Sequence, residues 1–216
     1  MLKLSRTMFA LLFVFILTAC MPHIPRNVVD SREVLVRAPL PDKATVVFVG
    51  AKINWEGKFP FALYDGKDII GAIEHEQCMV TTVAPGKHLF ASFFKKQKLM
   101  DGRPRFAFID SELAGGNIYY VLVTYHIKPF AGVFPELFPI RERNDPHEFW
   151  KKLPQWLSGC RISVMTDETV AWNKELSSDY DGDRDYDYKA WIGDQEMQKL
   201  NIKAEDGVKS PVVPKR

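Results

Sequence analysis

The run Ile118-Tyr119-Tyr120-Val121-Leu122-Val123-Thr124-Tyr125 most restricts what this chain can fold into. All but Leu122 are β-branched or aromatic, residue types that fit a pleated sheet and lose side-chain freedom in a helix. Shorter runs of the same kind surround it. Residues 44–49 (Ala-Thr-Val-Val-Phe-Val) read as a buried strand. Residues 59–64 and 68–73 read as two strands joined at Asp65-Gly66, a two-residue signal for a tight hairpin. Residues 78–83 and 88–94 follow, separated by Ala84-Pro85-Gly86-Lys87, whose proline and glycine suit the second and third positions of a type II turn. Residues 105–113 and 117–127 are expected as a hairpin about Gly115-Gly116. Residues 130–140 read as an edge strand, because Pro135 and Pro139 bar them from the middle of a sheet. Val34-Leu35-Val36 offers one more edge. Short strands with turn signals every 8 to 12 residues or about that predict a mainly β fold, an antiparallel β-sandwich of about seven to eight strands.

The turns also carry a resemblance. Phe61-Ala62-Leu63-Tyr64-Asp65-Gly66-Lys67 through Ile70-Gly71, followed by Val83-Ala84-Pro85-Gly86-Lys87-His88-Leu89-Phe90, resembles small bacterial β-sandwich domains. These include the PEGA-type domains and several lipoprotein domains of unknown function. The likeness covers residues 43–128. It implies the sandwich fold and says little of function, since the shared residues are turn chemistry. It implies no catalytic residue.

Lys3 and Arg6 precede an unbroken apolar run from Met8 to Leu17. The run falls short of the roughly 20 apolar residues of a membrane-spanning helix and has the length of a signal-peptide core. Leu17-Thr18-Ala19-Cys20 resembles the lipobox of bacterial lipoproteins. That resemblance implies cleavage before Cys20 and three acyl chains on the mature cysteine, palmitate among them. Each buried CH₂ contributes about 0.8 kcal/mol, and more than one chain is needed for stable attachment. Met21 stands where an aspartate retains such proteins in the inner membrane, which implies the outer membrane, facing the periplasm. Without residues 1–19 the chain has 197 residues, with 27 basic and 27 acidic side chains. The formal charge of +2 therefore belongs to the leader, and nothing in it favours a nucleic-acid partner.

Residues 20–42, with Pro22, Pro25, Pro39 and Pro41, are expected as a tether to the sandwich domain at 43–141. Residues 142–205 are expected as a smaller, mostly helical C-terminal extension. Asn144-Asp145-Pro146 opens a helix over 147–156, disturbed by Pro154. Residues 160–165 are short and β-like. Thr166 then caps a second helix, with Asp167 and Glu168 in its first turn. The acidic stretch 177–187 reads as a solvated connector, and 188–200 as helical again, interrupted at Gly193. Residues 206–216 lack periodicity and are expected as a disordered tail.

Candidate chemistry is sparse. Once Cys20 is lipidated, Cys78 and Cys160 remain. In an oxidising compartment they permit one disulfide, contributing about 4 kcal/mol for so long a loop; two buried thiols fit the count equally well. Lys95, Lys96, Lys98, Arg103 and Arg105 form a basic loop, suited to anionic lipid head groups or simply to solvent. Asp179, Asp181, Asp183, Asp185 and Asp187 alternate with other residues, but no register supplies the glycine and glutamate of a calcium loop. Glu74-His75-Glu76-Gln77-Cys78 has metal-binding residue types, yet in a strand His75 points away from the others. His88 and His126 have no nucleophile assigned to them, and no Gly-x-Ser-x-Gly, His-Glu-x-x-His or phosphate loop occurs. No catalytic residue, metal site or cofactor is expected. The expected function is a lipid-anchored envelope protein with a non-catalytic binding or scaffold module. Its partners are the membrane, through lipid on Cys20, and an envelope protein or glycan. The alternatives are a surface-exposed adhesin or secretion-system accessory, and an envelope enzyme built around His88, His126 and the acidic segment.

Overall fold

A computed structural model of the chain describes residues 24, 26–30, 35, 37–51, 60–94, 105–128, 132–195 and 199–214. The described residues are mainly β, with ten strands in two sheets. Eight of them fall on the sequence pattern: β2 (Ala44–Gly50), β3 (Phe61–Asp65), β4 (Asp68–Ile73), β5 (Gln77–Val83), β6 (Gly86–Phe94), β7 (Arg105–Leu113), β8 (Asn117–Lys128) and β9 (Gly132–Ile140). β10 (Arg161–Val164) falls on the short β-like stretch 160–165 of the C-terminal extension, and one strand, β1 (Asn27–Val29), lies beyond the pattern, in the expected tether. The helices are α1 (Phe149–Gly159) and α2 (Asp167–Ile192), followed by a 3-10 turn at Ala204–Asp206.

The larger sheet has the order β1-β10-β5-β2-β8-β9 and the smaller one β4-β3-β6-β7. The most β-favouring run becomes an inner strand, with β8 parallel to β2 and antiparallel to β9. β9, with its prolines, is an edge, as its sequence requires. The larger sheet is mixed rather than antiparallel, because β10 also runs parallel to β5. Parallel neighbours need long crossovers. The whole smaller sheet lies between β2 and β8 in the chain, and α1 lies in the connection from β5 to β10.

Two strands differ from the expected pairing. β7 and β8 are not a hairpin: β7 pairs with β6 from Gly86↔Leu113 to Phe94↔Arg105, while β8 belongs to the other sheet. The Gly115-Gly116 link crosses between sheets, where Gly116 donates its N–H to the Lys43 carbonyl at 2.8 Å. The Ala114 N–H is taken by the Tyr119 hydroxyl, also at 2.8 Å. At the proposed edge 34–36, Leu35 is a buried turn residue, and Val34 and Val36 lie outside the described residues.

Alternation along the strands builds three cores. In β2, Val46 and Phe48 face the space between the sheets while Val47 and Val49 face α1. In β8, Tyr119, Val121 and Val123 face inward and Ile118, Tyr120 and Leu122 face outward. Both strands are buried on both sides, which is why they read as continuous apolar runs. In β3, Phe61 and Leu63 join the inner core and Ala62 and Tyr64 lie under α2. The helices are therefore outer layers of the body, one on each sheet. α1 continues through Pro154 to Gly159, because Leu153 and Leu157, one turn apart, are both fully buried on the larger sheet.

The acidic stretch is helix rather than connector. α2 runs unbroken across it from the Thr166 cap, whose side chain accepts the Thr169 N–H. Trp172, Tyr180, Tyr188 and Trp191 share one side and pack on the smaller sheet. Asp187 accepts the Phe106 N–H at 3.0 Å, and Asp181 holds Arg184 at 2.9 Å. Gly193 ends the helix rather than interrupting it.

The last described residues are also bound, in contrast to the expected loose tail. Ile202 bridges to Ser111 of β7 and Val208 to Ile118 of β8, so 202–208 straps the two sheets together. Tyr119 donates its hydroxyl to the Ala204 carbonyl, and Val212 donates its N–H to the Tyr120 hydroxyl. Residues 215–216 lie outside the described residues.

Candidate functional site

The candidate site forms where β9 hands over to α1. A cavity of about 740 Å³ opens there, walled by the 141–151 segment and by Lys199 and Leu200. Asp145 organises the wall. Its two carboxylate oxygens accept the N–H groups of His147 (3.0 Å) and Trp150 (2.8 Å), so it caps the start of α1 from upstream. Asn144 and Glu148, both lining residues, take left-handed backbone with φ of 55°. Non-glycine residues in that region cost free energy and cluster where a loop presents side chains for use. Trp150 lines the cavity with its ring set edge-on to Tyr120 at 6.1 Å. Burial pushes the Tyr120 hydroxyl above its ordinary value, against the opposing Val212 hydrogen bond.

Arg141 also lines the cavity. Its guanidinium donates to Asp206 at 3.0 Å and to the Asn201 carbonyl at 2.6 Å, so the strap fixes its position. Lys151 pairs with Glu148 at 2.5 Å across one helical turn, and this exposed ammonium holds the Glu148 carboxyl below its usual range. Three cations (Arg141, Lys151, Lys199) thus face three carboxylates (Glu142, Asp145, Glu148) around one tryptophan. Such a wall can grip a neutral or mixed-charge polar surface, with the aromatic ring supplying apolar contact.

The residues singled out from the sequence are placed elsewhere. Cys20, Lys95, Lys96, Lys98 and Arg103 lie outside the described residues. Arg105 opens β7 with its guanidinium 5.2 Å from the Phe134 ring centroid. Cys78 and Cys160 are disulfide-bonded, with Cα atoms 5.5 Å apart, and join β5 to the end of α1. His88 bonds Asp65 at 2.7 Å and the Ala84 carbonyl at 2.8 Å. The two turn motifs therefore touch each other, and His88 clamps them. Gly71 completes the pattern, since a Cβ there would sit 2.0 Å from the Met79 sulfur. His126 pairs with Glu136 across β8 and β9 and stacks on Phe134. His88 is in the smaller sheet and His126 in the larger, and the acids they bond, Asp65 and Glu136, lie outside the acidic helix. Among the described residues no group of three His, Cys, Asp or Glu is placed to hold a metal ion.

His75 stacks on Tyr125 with ring centroids 5.2 Å apart, and its Nε2 is buried without a hydrogen-bond partner among the described residues. Burial holds its imidazole below the ordinary 6.5, while Glu74 and Glu76 pull the other way. Below that value the unfolded chain binds a proton that the folded chain resists. Stability is therefore full above it and falls as pH drops. Urea unfolding at about pH 7.5 and about pH 5.5 is expected to show this loss, and His75→Gln is expected to reduce it. An unchanged pH slope in the variant would assign the loss to other groups.

The cavity residues were not singled out from the sequence as a site. Its one local signal was Asn144-Asp145-Pro146, which marks a turn into a helix but not a cavity beside it. No protein-family model, curated protein or solved structure matches the chain.

Proposed function

We propose that the protein is a lipid-anchored envelope protein, held at the outer membrane through Cys20, whose β body is a non-catalytic binding or scaffold module facing the periplasm. The observation that carries this reading is the Cys78–Cys160 bond. Such bonds persist in oxidising compartments, and a leader ending in a lipobox delivers a chain to one. The finer fold reading is a PEGA-like sandwich of β2–β9, widened at one edge by β1 and β10; the Asp65–His88 contact between its motif turns supports it. The cavity is the binding face. Its Arg141 and Asp145 are committed to holding the wall, which suits recognition of an envelope protein or glycan better than proton transfer.

Cys20→Ser is expected to move the protein from the membrane to the soluble fraction; continued membrane retention would remove the anchor. A photocrosslinker in place of the exposed Glu142 is expected to capture an envelope protein or glycan in cells. Turnover of a small substrate by the purified protein, abolished by changes at the cavity, would replace the module with an enzyme.

A further inference from the structure

Only three residues lie between Cys20 and Ile24, a span of four Cα–Cα steps, and Ile24 is 1% exposed, packed among the residues between the smaller sheet and α2. A fully extended chain advances at most about 3.6 Å per residue, so the Cys20 Cα lies within about 14 Å of that of Ile24. The next residues are held as well. Arg26 is tied to Glu74 and Gln77, and β1 pairs with β10 from Asn27↔Val164 to Val29↔Ile162. The chain is fixed to the body almost as soon as it leaves the cysteine. A long free tether is not what connects the two.

The flank at this point is apolar. Val28, Val29, Val164 and Met165 are all exposed. Beside them is a groove of about 360 Å³, lined by Ile70, Met79 and Ile162 together with Val29, Val164 and Met165. Asp167 and Glu168 begin α2 next to Met165, so attraction to anionic head groups is not what this surface is built for. An apolar occupant suits it.

We propose that this β1–β10 flank rests on the bilayer that holds the Cys20 lipid, giving the body a fixed orientation; this rests on the lipid-anchor reading. The cavity then faces away from the membrane. β1 and β9 are the two edges of the larger sheet, five strand spacings of about 4.8 Å apart, and the cavity opens beyond β9. The bound face is at the β1 edge of the larger sheet, and the cavity opens past the end of β9, the strand at its other edge.

The test uses the full lipidated chain in vesicles of phosphatidylethanolamine and phosphatidylglycerol, with Val164→p-benzoylphenylalanine or, separately, Glu142→p-benzoylphenylalanine. Both positions are exposed, so neither change disturbs the core. Illumination is expected to give phospholipid adducts at Val164, several-fold above those at Glu142. Equal adducts at the two positions, or none at Val164 while the intact mass shows lipid on Cys20, would overturn the proposal and leave the anchor standing. Adducts from Val164 to a second copy of the chain would overturn it by assigning the flank to a protein interface. An intact mass without lipid would instead overturn the anchor, and the orientation with it.

Discussion

Replacing Cys78 and Cys160 together with alanine is expected to lower the unfolding free energy by about 4.5 kcal/mol. The bond closes a loop across a sequence separation of 82, and the chain entropy it removes from the unfolded state grows with the logarithm of that length. A domain of ordinary stability has about 5–15 kcal/mol in all, so the loss takes about 30% of it or more. At about 2–4 °C per kcal/mol for a chain of this size, the melting midpoint should fall by roughly 9–18 °C. The damage has a place. Cys160 follows the last residue of α1, and β10 meets β5 in a short parallel pairing, Arg161↔Gln77 and Ile162↔Cys78. Without the bond that pairing and the packing of Leu153 and Leu157 must hold α1 to the sheet. Hydrogen exchange should therefore rise first in α1 and β10, and later in β2 and β8. A change in unfolding free energy under about 1 kcal/mol would mean that the unfolded chain is already confined without the bond.

The strands were legible because their signals are local. Alternating or continuous apolar runs and turns such as Asp65-Gly66 depend on neighbours in the chain, and β2 through β9 fall where those signals lie. Pairing was less legible, because it depends on residues far apart. Gly115-Gly116 has the composition of a hairpin turn, yet it crosses between sheets, with the Gly116 N–H taken by the Lys43 carbonyl and the Ala114 N–H by the Tyr119 hydroxyl. The acidic helix was misread because its charges dominate the composition. Its helical spacing is carried by Tyr180, Tyr188 and Trp191, which reach the smaller sheet between the aspartates. The tail 206–216 looks loose for the opposite reason: a bridge at Val208 and the Val212 N–H on Tyr120 hold it, and two isolated contacts leave no period to detect. The cavity was the least legible feature. Its walls come from the end of β9, the start of α1 and residues 199–200, which only the completed fold brings together.

Arg26→Met is expected to cost about 3 kcal/mol, because it leaves the Glu74 carboxylate behind without its cation. The Arg26 side chain is 7% exposed and that of Glu74 19%. Its guanidinium reaches Glu74 at 2.5 Å, Gln77 at 3.2 Å and the Ile24 carbonyl at 3.0 Å, three partners that a methionine of similar length cannot serve. Water reaches Glu74 and Gln77 remains beside it, which keeps the cost at the lower end for a broken buried pair. Arg26→Met combined with Glu74→Gln should recover much of the loss, since it removes the stranded charge as well; a double-mutant cycle in urea measures the difference. Equal losses in the single and double variants would show that packing, not charge, carries the effect. The variant also separates folding from orientation. Arg26 holds the chain between Ile24 and β1, so its loss should free that segment to limited proteolysis while the sheets remain paired. The Cys20 lipid would then connect to the body through a longer free segment. Phospholipid adducts at Val164 should fall although the lipid on Cys20 is unchanged, because what holds the flank against the bilayer is the shortness of that connection.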